Sequence, residues 1–85
     1  MKAKEMKSSL LREHPKYAMA LYLAGMIKTA RKTAGLTQLE LAKKLGTKQE
    51  NVARWEAAKY EPSLSTMQRI GKATGFKLKA PRFIH

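Results

Sequence analysis

Residues 37–56 read TQLELAKKLGTKQENVARWE, and this stretch decides the fold. Thr37 is a good N-cap, and Glu40 three residues on completes a capping box, in which each residue satisfies a backbone amide that the helix start leaves free. Gln38 to Leu45 is then a short helix with Leu41, Ala42 and Leu45 facing inward. Gly46 stops it. Thr47 and Glu50 repeat the capping-box pattern and open a second short helix with Val52 and Trp55 inward. Ala42 is small where the two helices cross most closely, since a large side chain would push them apart. Gly46 permits the positive φ of a tight turn. Two capped short helices joined by a glycine turn are an arrangement that sets a helix into a DNA groove. A generic helical core accounts for the apolar residues. It does not account for the polar, hydrogen-bonding outer faces.

Outward from this stretch the pattern stays helical. On the N-terminal side the segment Lys16 to Ala34 is the longest helix. It has one apolar face of Tyr17, Leu21, Ala24, Ile27 and Ala34 and a second of Met19, Leu23 and Met26, which predicts two burial partners. Gly35 follows at its C-terminal cap. Before it, Lys2 to Glu13 carries Met6 and Leu10 at helical spacing, a short helix that needs a surface to lie on. His14-Pro15 breaks that segment, and Pro15 opens the long helix. On the C-terminal side Lys59 to Pro62 is a loop. Ser63 or Ser65 caps a further helix with Leu64, Met67 and Ile70, ending near Gly75. Beyond it Phe76, Leu78 and Ala80 alternate with Lys77, Lys79 and Arg82, the period of a strand, and Pro81 suits only an edge or a strand end.

The chain has 85 residues with 18 Lys+Arg against 6 acids, a net charge of +12. So small a core gets no help from cysteine, of which there is none, so helix packing or a second copy must supply the stability. A balance this basic points to a polyanion, nucleic acid or an anionic surface. The charge is uneven: residues 1–35 hold eight basic and two acidic groups, residues 36–62 five and four, residues 63–85 five and none. The longest apolar run, Tyr17 to Ile27, is too short to span a membrane. Residues 1–15 show no apolar segment with a small-residue cleavage site, so no signal peptide and a cytoplasmic location are expected. Every acid is Glu, and His14 and His85 are the only histidines. That inventory lacks a nucleophilic triad, a metal cluster and a Gly-rich phosphate loop. The expectation is no enzyme, no cofactor and no metal.

The motif strongly resembles the Cro/phage-repressor (XRE) class of helix-turn-helix proteins, from about Arg31 to Ile70. The likeness includes a leading Arg-x-x-x-Gly-Leu-Thr-Gln and a trailing Pro-Ser-Leu-x-Thr-Met, with small and apolar positions matched in register. It implies an all-α, compact four- or five-helix lambda-repressor-like DNA-binding domain, here with a short C-terminal β-strand tail. The expected boundaries are a basic extension at 1–14, the DNA-binding domain at 15–75 and the tail at 76–85. The resemblance makes Lys48 to Ala57 the recognition helix, with Lys48, Gln49 and Glu50 on its exposed N-terminal face and Asn51 and Arg54 alongside. These residue types suit base edges in the major groove: Gln pairs with adenine, Arg with guanine, and Glu accepts from cytosine. Glu50 also has the competing role of completing its capping box. Gln38 resembles the position that anchors a phosphate at a helix N-terminus, and Lys59 one that contacts the backbone. Arg31 and Glu56 match a buried ion pair of phage repressors, which fixes geometry more than it stabilises. One departure is that Ala57-Ala58 stand where the class commonly has a glycine dipeptide. A longer helix is the expected consequence, which leaves the contacts of Lys59 and Tyr60 open.

Within this class the basic N-terminal segment, the second stripe on the long helix and the alternating tail are similar to antitoxins of the host-inhibition-of-growth (HigA-like) and RelE-toxin families. The resemblance then implies an operator-binding dimer that neutralises a small ribonuclease toxin. A phage-type or other small regulator without a toxin is the alternative. A basic adaptor for RNA or an acidic protein is the reading from a different class. A homodimer is expected on either DNA-binding reading, because one recognition helix reads few base pairs. Its interface would be the Met19/Leu23/Met26 stripe or the Phe76–Ala80 strand.

Overall fold

The computed structural model describes residues 15–76, which form four helices: α1 Pro15–Thr33, α2 Gln38–Leu45, α3 Gln49–Glu56 and α4 Leu64–Thr74. Among these residues there is no strand. The short helix expected within 1–14 and the strand tail expected over 76–85, Phe76 apart, lie outside them. α2 and α3 pack on each other, α1 lies against both α3 and α4, and α4 closes the remaining side against α2. The core at their junction is Ile27, Leu41, Ala42, Leu45, Val52, Met67 and Ile70, with Leu23, Met26, Leu36, Trp55 and Ala73 packed around it. Ala42 is 1% exposed, as a close crossing of α2 with its neighbours requires. No helix among the described residues is long and apolar enough to cross a membrane.

The buried line of α1 differs from the expected faces. It consists of Ala20, Ala24, Ile27 and Ala30, a spacing of three and four residues that stays on one side of a helix. Leu23 and Met26 flank this line and also reach the core, so the two expected faces converge on one. Tyr17 is exposed, one turn before Ala20, where the buried line begins. Ala34 is exposed because the helix has already ended at Thr33. Leu64, expected inward, is 70% exposed. It is the first residue of α4, one turn short of Met67 and Ile70, which are buried.

Helix ends are set by local hydrogen bonds. At α2 the expected capping box forms, with the Glu40 amide donating to Thr37 Oγ1 at 3.0 Å and the Thr37 amide to Glu40 Oε1 at 2.8 Å. The Thr37 amide, then its hydroxyl and the nearby Lys43 and Lys44, hold the Glu40 carboxyl below the usual carboxylate range. Ser63, not Ser65, caps α4 by accepting from the Thr66 amide at 3.1 Å.

The second expected capping box does not form. α3 starts from Lys48, which makes no side-chain cap bond. Thr47 is already used to close α2, its amide donating to the Ala42 carbonyl at 2.9 Å. Its hydroxyl takes the Asn51 amide nitrogen at 2.7 Å. The helix therefore begins one residue later than expected, and Glu50 becomes its second residue, left free and exposed.

α1, α2 and α3 all end in the same double closure, in which two amides past the helix reach back to carbonyls in its last turn. At α1 these are Gly35 to Lys32 and Leu36 to Arg31; at α2, Gly46 to Lys43 and Thr47 to Ala42; at α3, Ala58 to Trp55 and Lys59 to Arg54. The motif demands one left-handed residue. Gly35 and Gly46 supply it at φ 72° and 70°, and at α3 it is Ala58, at φ 60°. The glycine missing from the sequence therefore does not lengthen the helix. α3 stops at Glu56, and an alanine takes the strained position.

A left-handed non-glycine residue costs about 1–2 kcal/mol, while glycine adds back about 0.4–1 kcal/mol of unfolded-chain entropy. Ala58→Gly should therefore stabilise the protein by about 0.5–1 kcal/mol, a rise in Tm of about 2–8 °C for a domain this small. A thermal melt followed by circular dichroism checks it; a Tm lowered by the full entropy cost of the added glycine would show that Ala58 carries no strain.

Candidate nucleic-acid interface

An arginine and a glutamate fix α3 relative to the rest of the domain. Arg31 Nε donates to Glu56 Oε2 at 2.6 Å and Nη2 to Glu56 Oε1 at 3.0 Å, a two-pronged pair between α1 and the last residue of α3. The third nitrogen, Nη1, donates to the Leu36 carbonyl at 2.9 Å in the segment leading to α2. Gln38, the first residue of α2, donates its amide Nε2 to Glu56 Oε1 at 3.1 Å. One carboxylate thus meets α1 and α2 at the end of α3. Glu56 is 7% exposed and is the buried charged residue among those described. Its hydrogen bond holds the Arg31 proton more tightly than usual, against the opposing effect of burial. No buried side-chain polar atom among the described residues lacks a partner.

Pinned in this way, α3 buries Val52 and Glu56 and turns the opposite, polar face outward. Lys48, Gln49, Glu50 and Arg54 are exposed. An open concavity beside the turn is lined by Gly46, Thr47, Lys48, Glu50, Asn51 and Arg54, so the structure brings four of the expected contact residues together. Gln49 is exposed in the same first turn but does not line it. Asn51 is half-buried and tied to Thr47. Lys59 is exposed just past the helix. Gln38 stands apart from this group, its amide nitrogen engaged by Glu56. Among the described residues there is no cluster of His, Cys, Asp and Glu suited to a metal ion.

Two contacts here had no clear signal in the sequence. The Arg54 guanidinium lies over the Tyr60 ring, 5.8 Å from its centroid, a contact made possible by the tight closure at Ala58. Arg69 of α4 donates to the Leu45 carbonyl at the end of α2, supplying a partner for one of the free carbonyls of a helix terminus. Arg69 is 24 residues from Leu45 in the chain, and no local spacing rule spans that distance.

Comparison with known proteins agrees with this arrangement. The family HTH_3, described as helix-turn-helix, matches residues 27–79. A protein of Methanothermobacter thermautotrophicus named as an uncharacterized HTH-type transcriptional regulator is 40% identical over 50 residues, 59% of this chain and 72% of that protein. The immunity repressor protein of Bacillus phage phi105 is 39% identical over 54 residues, 64% of this chain and 38% of the repressor. Antitoxin HigA1 of Mycobacterium tuberculosis is 39% identical over 49 residues, 58% of this chain and 33% of the antitoxin. The chain thus spans well under half the length of the repressor and of the antitoxin. No solved structure matches it.

Removing one partner of a buried pair leaves the other charge uncompensated and costs about 3–5 kcal/mol. Glu56→Ala would strand Arg31, whose side chain is 13% exposed, and leave the Gln38 amide without its acceptor. Its urea midpoint should fall sharply, a large part of the total stability of a small domain. Glu56→Gln keeps the shape and an acceptor oxygen, so it should fall less. Equal, small losses for both would show that the carboxylate charge does not hold α3 in place.

Proposed function

The chain belongs to the helix-turn-helix family HTH_3, and from that premise we propose that it is a sequence-specific DNA-binding transcriptional repressor and not an enzyme. α3 enters the major groove of an operator, with Lys48, Gln49, Glu50, Asn51 and Arg54 facing the bases and Gln38 and Lys59 meeting the backbone. The observation that carries this reading is the exposed, polar N-terminal face of α3 on a helix fixed by the Arg31–Glu56 pair. An ordinary solvated helix has no need of such anchoring. The +12 charge supports it: backbone phosphates provide affinity, and the helix provides sequence reading.

Two copies bind as a homodimer, since one short helix reads too few base pairs for useful specificity. The finer reading is an antitoxin that represses its own operator and neutralises a small toxin. It is supported by the likeness to an antitoxin and by the basic segments flanking the motif. The likeness to a phage immunity repressor supports a regulator without a toxin.

Gln49→Ala and Arg54→Ala should each weaken operator binding by about 1–3 kcal/mol and relax the preference at particular base pairs. Lys59→Ala should weaken binding to all sequences alike and reduce the salt slope by about one phosphate contact. Titration of matched and scrambled duplexes at several salt concentrations separates the two kinds of loss. A base preference untouched by Gln49→Ala and Arg54→Ala together would remove α3 from the role of reader.

The full chain at tens of micromolar should scatter light as a dimer, and co-expression with the product of the neighbouring gene should yield a stable complex. A monomer with and without DNA would overturn the dimer. A dimer that binds its operator but never that product would leave the plain regulator.

A further inference from the structure

Arg54 is spaced to pair with Glu50, one turn earlier on α3 and on the same helix face. It does not do so: among the described residues the salt bridge is that of Arg31 with Glu56. The Arg54 guanidinium instead lies over the ring of Tyr60. The backbone brings Tyr60 there. The Lys59 amide closes onto the carbonyl of Arg54 itself, at 3.0 Å, and Ala58 takes the left-handed turn that makes this possible. Burial does not explain the position of the ring, because Tyr60 is 59% exposed and is not among the residues packed on the core. A strained alanine turn and an exposed aromatic ring therefore converge on one exposed cation at the rim of the concavity.

We propose that Tyr60 is a positioning residue for DNA reading, holding Arg54 aimed at a guanine and away from Glu50. The inference rests on the reading of α3 as the recognition helix. A free arginine has many rotamers, and one paired with Glu50 would spend its donors on a carboxylate. A ring attracts the cation through its π face and, unlike the Glu50 carboxylate, does not tie up the guanidinium's N–H donors in an ion pair. Those donors form the fork that pairs with O6 and N7 of guanine in the major groove. The same contact frees the Glu50 carboxylate to accept from a base.

The test is selection of duplexes from a randomised pool by the full chain and by Arg54→Ala, Tyr60→Phe, Tyr60→Leu and the double variant Arg54→Ala/Tyr60→Leu, with a thermal melt of each. Arg54→Ala should erase a guanine preference at one position of the site. Tyr60→Leu should weaken that same preference about two- to fivefold, the range expected of an exposed cation–π contact, and leave the other positions unchanged. Tyr60→Phe should retain it, and Tyr60→Leu should add nothing once Arg54 is gone. A loss in Tyr60→Leu spread evenly over all sequences, or a Tyr60→Phe as impaired as Tyr60→Leu, would make Tyr60 a backbone contact and overturn the proposal. If Arg54→Ala relaxes a preference and Tyr60→Leu does not, only the positioning role falls. If Arg54→Ala relaxes none, the reading of α3 at this residue falls, and the proposal with it.

Discussion

The Glu56 carboxylate is the constraint on which the arrangement of this small domain depends. Burying a charge costs more than its pairing returns unless the geometry is good and the remaining lone pairs are used. Both conditions hold here: Arg31 meets both oxygens, and Gln38 takes a further place on Oε1. The three nitrogens of Arg31 are also all spent, two on Glu56 and one on the Leu36 carbonyl. The angle between α1, α2 and α3 is thereby fixed by directional bonds. A core of seven buried apolar residues, three of them on α2, would by itself tolerate several packings of similar volume.

Around that anchor the chain turns by repeating one device. Three successive helices end in the same pair of backward hydrogen bonds, and each closure sets the entry to the next element. After α1 the turn delivers Thr37 to cap α2. After α2 it uses Thr47, and in doing so moves the N-cap of α3 from Thr47 to Lys48 and frees Glu50. After α3 it places an alanine where glycine would be easiest and carries Tyr60 back over Arg54. The surface proposed to meet DNA is therefore shaped by how helices stop as much as by the residues they display. An exposed Glu50 and an Arg54 held over the Tyr60 ring are both consequences of closures that lie outside the exposed face itself.

Much of this was legible in the sequence because it rests on partners a few residues apart. The Thr37–Glu40 capping box, a serine cap at Ser63 or Ser65, the positive φ of Gly35 and Gly46 and the burial of Leu41, Ala42, Leu45, Val52, Met67 and Ile70 follow from short-range hydrogen bonding and helical period. The Arg31–Glu56 pair was legible through resemblance to phage repressors, not through spacing, since 25 residues separate the two. Some readings changed because one group had two suitors, others because a helix ended. Tyr17 and Leu64 have the right period but stand at helix ends that the core does not reach, so periodicity alone placed them inward.

What the sequence by itself determined is the set of local bonds each residue is able to make: where helices start, where they stop, and which faces are apolar. Tertiary structure decided which bond was made when two were on offer. Thr47 could cap α3 or close α2, and it closes α2 because its amide reaches Ala42. Arg54 could pair with Glu50 or lie over Tyr60, and it lies over Tyr60 because the chain folds the ring back to it. Ala58 could extend a helix or end one, and it ends one at the cost of a left-handed backbone. Each choice is exclusive, because a group spent on one partner is no longer there for the other that sequence spacing suggests.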